Sequence, residues 1–127
     1  MKTQKKDGCP TLNLIHVVGK RWTIPIIEEV YFSEGSVSFN ELQRSLYGIT
    51  PRMLSNSLDE LQEYSLLDRR ENNSGNATHT QYSLTDKGHE VANLIREIKE
   101  LGRCFYTYDT NAACKNMKCS ACGLLDR

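Results

Sequence analysis

The sequence predicts a mainly α-helical fold with a small β-hairpin. Two observations favour this class: apolar residues recur at helical spacing in five segments, and only one stretch changes to the two-residue period of strands. The chain has 127 residues, enough for a single domain with a buried core. Charged residues make up 25% and hydrophobic residues 39%, a balance typical of globular proteins.

The first two helices are predicted at Pro10–Val18 and 22–32, on either side of the helix breaker Gly19. Pro10 suits the first position of a helix, because the N–H that proline lacks would have no partner there. Both segments are rich in apolar residues, so we expect the first helix to be buried on most sides and the second to be the central helix of the core. Residues 1–9 are expected to form a flexible arm.

Two further helices are predicted at 38–46 and 51–64, with a tight turn between them. Ser38 followed by Glu41 is a capping-box signature and marks the start of the first. Thr50 is a good N-cap for the second, which has proline at its first position.

After this helix the hydrophobic period changes. Segments 66–72 and 78–84 are predicted to be two strands joined by turn-forming residues at 74–76. Thr85 can cap a last long helix with an apolar stripe that runs to Leu101. Two helices joined by a tight turn and followed by a β-hairpin form a winged helix-turn-helix, which we place at 10–103.

The charge balance and the hydropathy limit the possible functions. Sixteen Lys and Arg offset sixteen Asp and Glu, so binding to nucleic acid would require basic residues clustered on one face. No apolar run approaches the ~20 residues that cross a bilayer, and no secretory signal is recognisable. We therefore expect a cytoplasmic protein without a membrane partner. No catalytic triad, carboxylate pair or phosphate loop is recognisable, so we do not expect an enzyme.

The helix at 51–64 is the first candidate for contact with DNA. Its leucines fall on one side of a helical wheel and leave Arg52, Ser55 and Asn56 on or near the other, just after Thr50. A recognition helix inserts its N-terminal residues into the major groove, where Arg can pair with guanine and Asn with adenine. An ordinary amphipathic helix with a solvated face is the alternative.

The hairpin and the residues ahead of the second helix supply the other candidate contacts. A wing can lie along the minor groove or the backbone, where polar side chains bond to phosphate oxygens. Asparagine also favours turns for its own conformational reasons, so a purely structural role is the alternative. The candidates are Lys20, Arg21, Arg69, Arg70, Asn73 and Thr78.

Several short motifs, in the order in which the family carries them, resemble the HxlR-type family of winged helix-turn-helix transcription regulators. They are Gly19-Lys20 followed by Trp22, Phe39-Asn40-Glu41-Leu42, Gly48-Ile49-Thr50-Pro51 with Leu54, and Tyr82-Ser83-Leu84-Thr85 ahead of Gly88. The resemblance implies a homodimer formed through the first and last helices, which binds an inverted-repeat operator in double-stranded DNA. The apolar stripe of the last helix suits that interface, or it packs on its own core.

A winged helix that binds proteins of the transcription machinery, with a structural zinc in its tail, is the alternative function. Zero net charge is compatible with either function. Salt dependence separates them, because DNA binding weakens steeply as salt rises through counterion release.

Cys9 precedes the first helix at its predicted N-cap. The resemblance implies that this is the position where thiol-sensing members of the family carry their reactive cysteine. The helix dipole would stabilise a thiolate there. The alternative is an unreactive cysteine near the dimer interface.

Residues 104–127 form a cysteine-rich tail, which the resemblance does not explain. Two cysteines separated by two residues can hold one metal ion, and structural zinc takes four such ligands. The C-x4-C-x2-C spacing also occurs among iron–sulfur ligands, and a thiol switch or cysteines without any cofactor fit as well. The candidate metal ligands are Cys104, Cys114, Cys119 and Cys122.

Overall fold

The computed structural model describes the backbone of residues 8–75 and 77–105, with the side chains in these ranges other than those of 72–74, 77, 78 and 103–105. A mainly helical fold with a small antiparallel sheet is confirmed. The elements in order are α1 (Pro10–Val18), α2 (Thr23–Phe32), β1 (Ser36–Ser38), α3 (Phe39–Ser45), α4 (Pro51–Glu63), β2 (Leu67–Ser74), β3 (Ala77–Leu84) and α5 (Asp86–Phe105). Within the described part of the chain, no helix combines the length and apolarity needed to span a membrane.

Local capping explains where α3, α4 and α5 begin. The hydroxyl of Ser38 accepts a hydrogen bond from the Glu41 amide at 3.1 Å, and the Glu41 carboxylate accepts one from the Ser38 amide at 2.9 Å. Thr50 caps α4 by accepting from the amide of Met53. Thr85 caps α5 in the same way, from the amide three residues later. These caps confirm the predicted helix starts, since each satisfies N–H groups that have no partner within the helix.

The sheet has three strands in the order β1-β3-β2, one more than the predicted hairpin. The sequence predicts no strand at 36–38, because three residues are too few to show a two-residue period. Strand β1 forms because Val37 is buried opposite Tyr82 of β3. Strands β2 and β3 also extend further toward the hairpin tip than predicted, and pair up to Ser74 and Ala77.

One apolar core joins the helices to the sheet. Its largest fully buried side chains are Ile26, Ile27, Leu42, Leu46, Leu54, Leu58, Leu61, Ile95, Val17, Val30 and Pro25.

The prediction that α1 is buried on most sides is wrong. Only Val17 and Val18, at its C-terminal end, are buried, whereas Leu12 and Ile15 are 65% and 60% exposed. The described chain packs against the last turn of α1 and leaves its outer face uncovered.

Helix α5 is joined to the rest of the domain at two points. Near its start, Thr85 donates a hydrogen bond to the carbonyl of Ser65, and Gly88 packs directly against the carbonyl of Leu66. Further along, the Lys99 ammonium lies 2.5 Å from the Glu28 carboxylate of α2, and both side chains are more than 90% buried. The orientation of α5 relative to α2 and α4 is therefore fixed by close packing and by a desolvated ion pair.

Candidate nucleic-acid interface

Helix α4 presents one apolar and one polar side. Leu54, Leu58 and Leu61 are almost completely buried in the core. Arg52 and Asn56, with Ser55 beside them, are exposed on the other side, so the predicted orientation of the helix is confirmed. The exposed polar groups lie in the first two turns of α4, where a recognition helix enters the major groove.

The turn between α3 and α4 fixes where α4 begins. Gly48 adopts a φ of 93°, a left-handed conformation that glycine tolerates without steric cost. Ile49 is buried, and its carbonyl accepts a hydrogen bond of 2.6 Å from the Gln43 side chain of α3. Thr50 already uses its side-chain oxygen as the N-cap of α4, so its part in any interface is to orient the helix start.

Two exposed side chains beside this turn were missed by sequence reasoning. Arg44, in the last turn of α3, is exposed, and Tyr47 in the turn itself is 88% exposed. The spacing of the buried Leu42, on α3, and Leu46, directly after it, already indicated that Arg44 points outward. No periodic pattern applies to Tyr47, because it lies outside any helix or strand.

Lys20 and Arg21, two of the candidate DNA contacts, differ in their surroundings. The Lys20 ammonium forms an ion pair of 2.7 Å with the Glu60 carboxylate on α4. Arg21 places its guanidinium 5.1 Å from the centre of the Trp22 ring. The charge of Lys20 is therefore partly offset inside the domain, whereas Arg52 has neither an ion pair nor a hydrogen bond with any residue that the structure describes.

On the hairpin, Arg69 and Arg70 are exposed on adjacent positions of β2 and project from opposite faces. Arg69 pairs with Glu71 at 2.8 Å, and its hydrogen bond with Tyr82 on β3 is the main cause that raises the pKa of its guanidinium. Arg70 lies opposite Gln81. Asn73 and Thr78 are register partners in the ladder, and their side chains lie outside the described set.

A comparison with known families identifies the chain. The family model described as HxlR-like helix-turn-helix matches residues 17–110, which include every element from α2 to α5. The chain belongs to the HxlR-like helix-turn-helix family. The resemblance noted in the sequence is thereby confirmed, and the protein is a transcriptional regulator of the helix-turn-helix type.

Individual relatives agree with this assignment. The HTH-type transcriptional regulator YybR of Bacillus subtilis is 31% identical over 97 residues, which cover 76% of this chain and 75% of YybR. The reduced form of the regulator YodB from B. subtilis superposes with a TM-score of 0.68 at 25% identity, covering 78% of this chain and 95% of YodB. The redox regulator HypR in its oxidised form gives a TM-score of 0.65 at 28% identity, covering 76% of this chain and 96% of HypR. All three are regulators, in line with the prediction that the chain is not an enzyme.

In this HxlR-like regulator, Cys9 is exposed and occupies the N-cap of α1, as predicted. The backbone N–H groups of Leu12 and Thr11, in the first turn of α1, are the main cause that lowers the pKa of the thiol. The side chain is exposed, so an oxidant or electrophile can reach it.

The predicted metal ligands fall largely outside the described residues. Cys104 belongs to α5, which extends to Phe105, but its side chain is not among those described. Cys114, Cys119 and Cys122 lie beyond the described ranges. Among the residues that are described, no group of three or more His, Cys, Asp or Glu side chains could hold a metal ion.

Helices α1 and α5 of this HxlR-like regulator each carry more than one exposed apolar side chain. Leu12 and Ile15 are exposed on α1, and Leu94, Ile98 and Leu101 are 42–56% exposed on α5. The residues of α5 repeat at intervals of four and three, so they form one stripe along the helix.

Proposed function

We propose that this HxlR-like regulator is a homodimer that binds an inverted-repeat operator in DNA and reads its sequence with the first turns of α4. The observation that supports this most directly is the group Arg52, Ser55 and Asn56, which is exposed at the start of α4 above a fully buried leucine face. Exposed groups without partners in the described chain are free to bond to base edges.

The charges on and around α4 also favour its N-terminal end as the end that faces DNA. Arg44 and Arg52 lie beside the turn at the start of the helix, whereas Asp59 and Glu63 lie in its second half. A chain with zero net charge can therefore present a positively charged surface to DNA at the start of α4. In this proposal Arg44 and the phenol of Tyr47 contact phosphates, and the arginines of the hairpin contact the adjacent backbone.

Replacing Arg52 or Asn56 by alanine is expected to weaken binding to the operator by about 1–3 kcal/mol each, or about 5- to 150-fold in Kd. The operator would first be selected by the unmodified protein from a random-sequence DNA pool. Fluorescence anisotropy would then compare affinities for the selected and a scrambled duplex. The loss should appear mainly on the selected duplex, because base contacts carry the specificity.

Lys87→Ala is the matched control for these substitutions. Lys87 is an exposed cation at the start of α5 and lines the same cleft as Glu63, at the far end of α4. About 16 Å of helix separates that end from Arg52. If Arg52→Ala and Asn56→Ala bind the operator as tightly as Lys87→Ala does, α4 does not read bases. Affinity that is insensitive to salt would favour the protein-binding alternative instead.

The proposed dimer would cover the exposed stripes of α1 and α5. We expect Ile98→Glu to convert the dimer to a monomer, because the interface would have to desolvate a charge without a partner. Ile98→Leu keeps the apolar surface and should remain dimeric. Sedimentation velocity at micromolar concentration would measure both, and a dimeric Ile98→Glu protein would exclude this part of α5 from the interface.

We propose that Cys9 makes the regulator responsive to thiol oxidation. Its exposure and its place at the N-cap support this role, as do the similar structures of HypR in reduced and oxidised forms. A lowered pKa means a larger thiolate fraction at neutral pH than in the unfolded chain. Alkylation of Cys9 by iodoacetamide at pH 7 should therefore be faster in the folded protein than in a peptide of residues 1–20, and the difference should shrink as pH rises.

Peptide mapping by mass spectrometry would follow Cys9 separately from the other cysteines. Diamide should change operator binding of the unmodified protein and leave Cys9→Ser unaffected. Equal alkylation rates in protein and peptide, or an undiminished diamide response of Cys9→Ser, would contradict the role of this thiol.

A further inference from the structure

A cavity of about 590 Å³ lies where the C-terminal end of α2, the turn before β1, the end of β3 and the beginning of α5 meet. None of its lining residues belongs to the proposed DNA contacts, to the exposed stripes of α1 and α5 or to the surroundings of Cys9. The lining comprises Val30, Tyr31, Phe32, Glu34, Gly35, Leu84 and His89.

Three of these residues have aromatic rings at steep angles to one another. The rings of Tyr31 and Phe32 are 5.3 Å apart between centroids with an interplanar angle of 85°. The rings of Tyr31 and His89 are 6.2 Å apart at 67°. Neither pair is stacked face to face, so the three rings line the cavity at steep angles to one another. The faces of the Tyr31 and Phe32 rings carry partial negative charge and attract cations.

Glu34 adds a full negative charge to this wall. Its side chain is exposed, and it makes no ion pair with any residue that the structure describes. Its backbone has a φ of 59°, a left-handed conformation that is uncommon for residues other than glycine. No lysine or arginine is among the described lining residues, so the cavity combines aromatic faces with an uncompensated carboxylate.

We propose that this cavity binds an organic cation, a quaternary ammonium or protonated alkylamine that carries an apolar substituent. The cationic head would lie against the rings of Tyr31 and Phe32 with Glu34 as its counter-ion. The apolar substituent would pack against Val30 and Leu84. This proposal does not depend on DNA binding, since none of the residues in the proposed DNA interface takes part.

The test compares choline and benzyltrimethylammonium with 3,3-dimethylbutanol, a neutral molecule of choline's shape. Each would be titrated into the full-length protein, with ¹H–¹⁵N amide shifts as the readout. Both cations should bind about tenfold or more tightly than the neutral alcohol. The largest shifts should occur at the amides of Gly35 and His89.

Glu34→Gln keeps the shape and removes the charge, and Tyr31→Leu removes a ring. Each is expected to weaken cation binding by about fivefold or more. Tyr47→Leu removes a tyrosine outside the cavity and should leave binding unchanged. Equal affinity for choline and its neutral isostere, shifts that avoid the cavity, or undiminished binding by Glu34→Gln would overturn the proposal. Glu34→Gln decides the question even if Tyr31→Leu fails to fold.

Discussion

Replacing Gly88 by alanine is expected to destabilise the domain by about 3 kcal/mol, because the added methyl group has no room. A Cβ at this position would lie 2.2 Å from the backbone oxygen of Leu66 and 2.9 Å from a methyl carbon of Leu84. The leucine side chain can move aside, but the carbonyl is held by the hydrogen bond it accepts from the Thr85 amide. Relief would require α5 to shift away from the end of α4.

Urea unfolding at a fixed protomer concentration would measure this effect, since dimerisation makes stability depend on concentration. Gly102→Ala is the matched control. Gly102 lies on the same helix, and a Cβ there would meet no atom of the described residues within 4 Å, so alanine should stabilise α5 by about 0.5–1 kcal/mol. If both variants change stability in the same direction and by similar amounts, the close approach at Gly88 is not a constraint.

Replacing Lys99 by methionine should cost about 3–5 kcal/mol, because it would leave the Glu28 carboxylate buried beside an apolar side chain. The two charged groups are 2.5 Å apart, and their side chains are only 7% and 4% exposed. Removing one partner therefore abolishes the attraction while the desolvation penalty of the other persists. Since α5 also carries the proposed dimer surface, operator affinity should fall together with stability.

The double variant Glu28→Leu with Lys99→Met separates charge from packing. It removes both charges and should recover most of the loss, because apolar pairs of similar volume replace buried ion pairs at little net cost. A double-mutant cycle from urea unfolding would give the coupling energy. A loss below about 1 kcal/mol for Lys99→Met alone would show that this pair does not hold α5 against α2.

The close approach at Gly88 gives a physical reason for one residue of the family resemblance. Tyr82-Ser83-Leu84-Thr85 ahead of Gly88 was recognised as a pattern. The structure gives the physical reason for its last residue: Thr85 caps α5 and bonds to Ser65, which brings the helix start against Leu66, where only a hydrogen fits.

The local features of this chain were determined by the sequence itself. Helix starts depend on residues three or four positions apart, and Ser38, Thr50 and Thr85 all cap the helices that were predicted from them. The polar side of α4 followed from its leucine spacing in the same way. Such features need only the geometry of one helix and the preference of apolar side chains for the core.

Only the tertiary structure decided how distant segments meet. Strand β1 exists because β3 lies beside it, Lys20 is paired with Glu60 forty positions away, and Lys99 is paired with Glu28 seventy-one positions away. The exposed face of α1 and the cavity beside Tyr31 depend likewise on which surfaces the other elements cover. Periodicity and capping act over a few residues, whereas these contacts arise when the whole chain packs, so a single sequence carries no local signal for them.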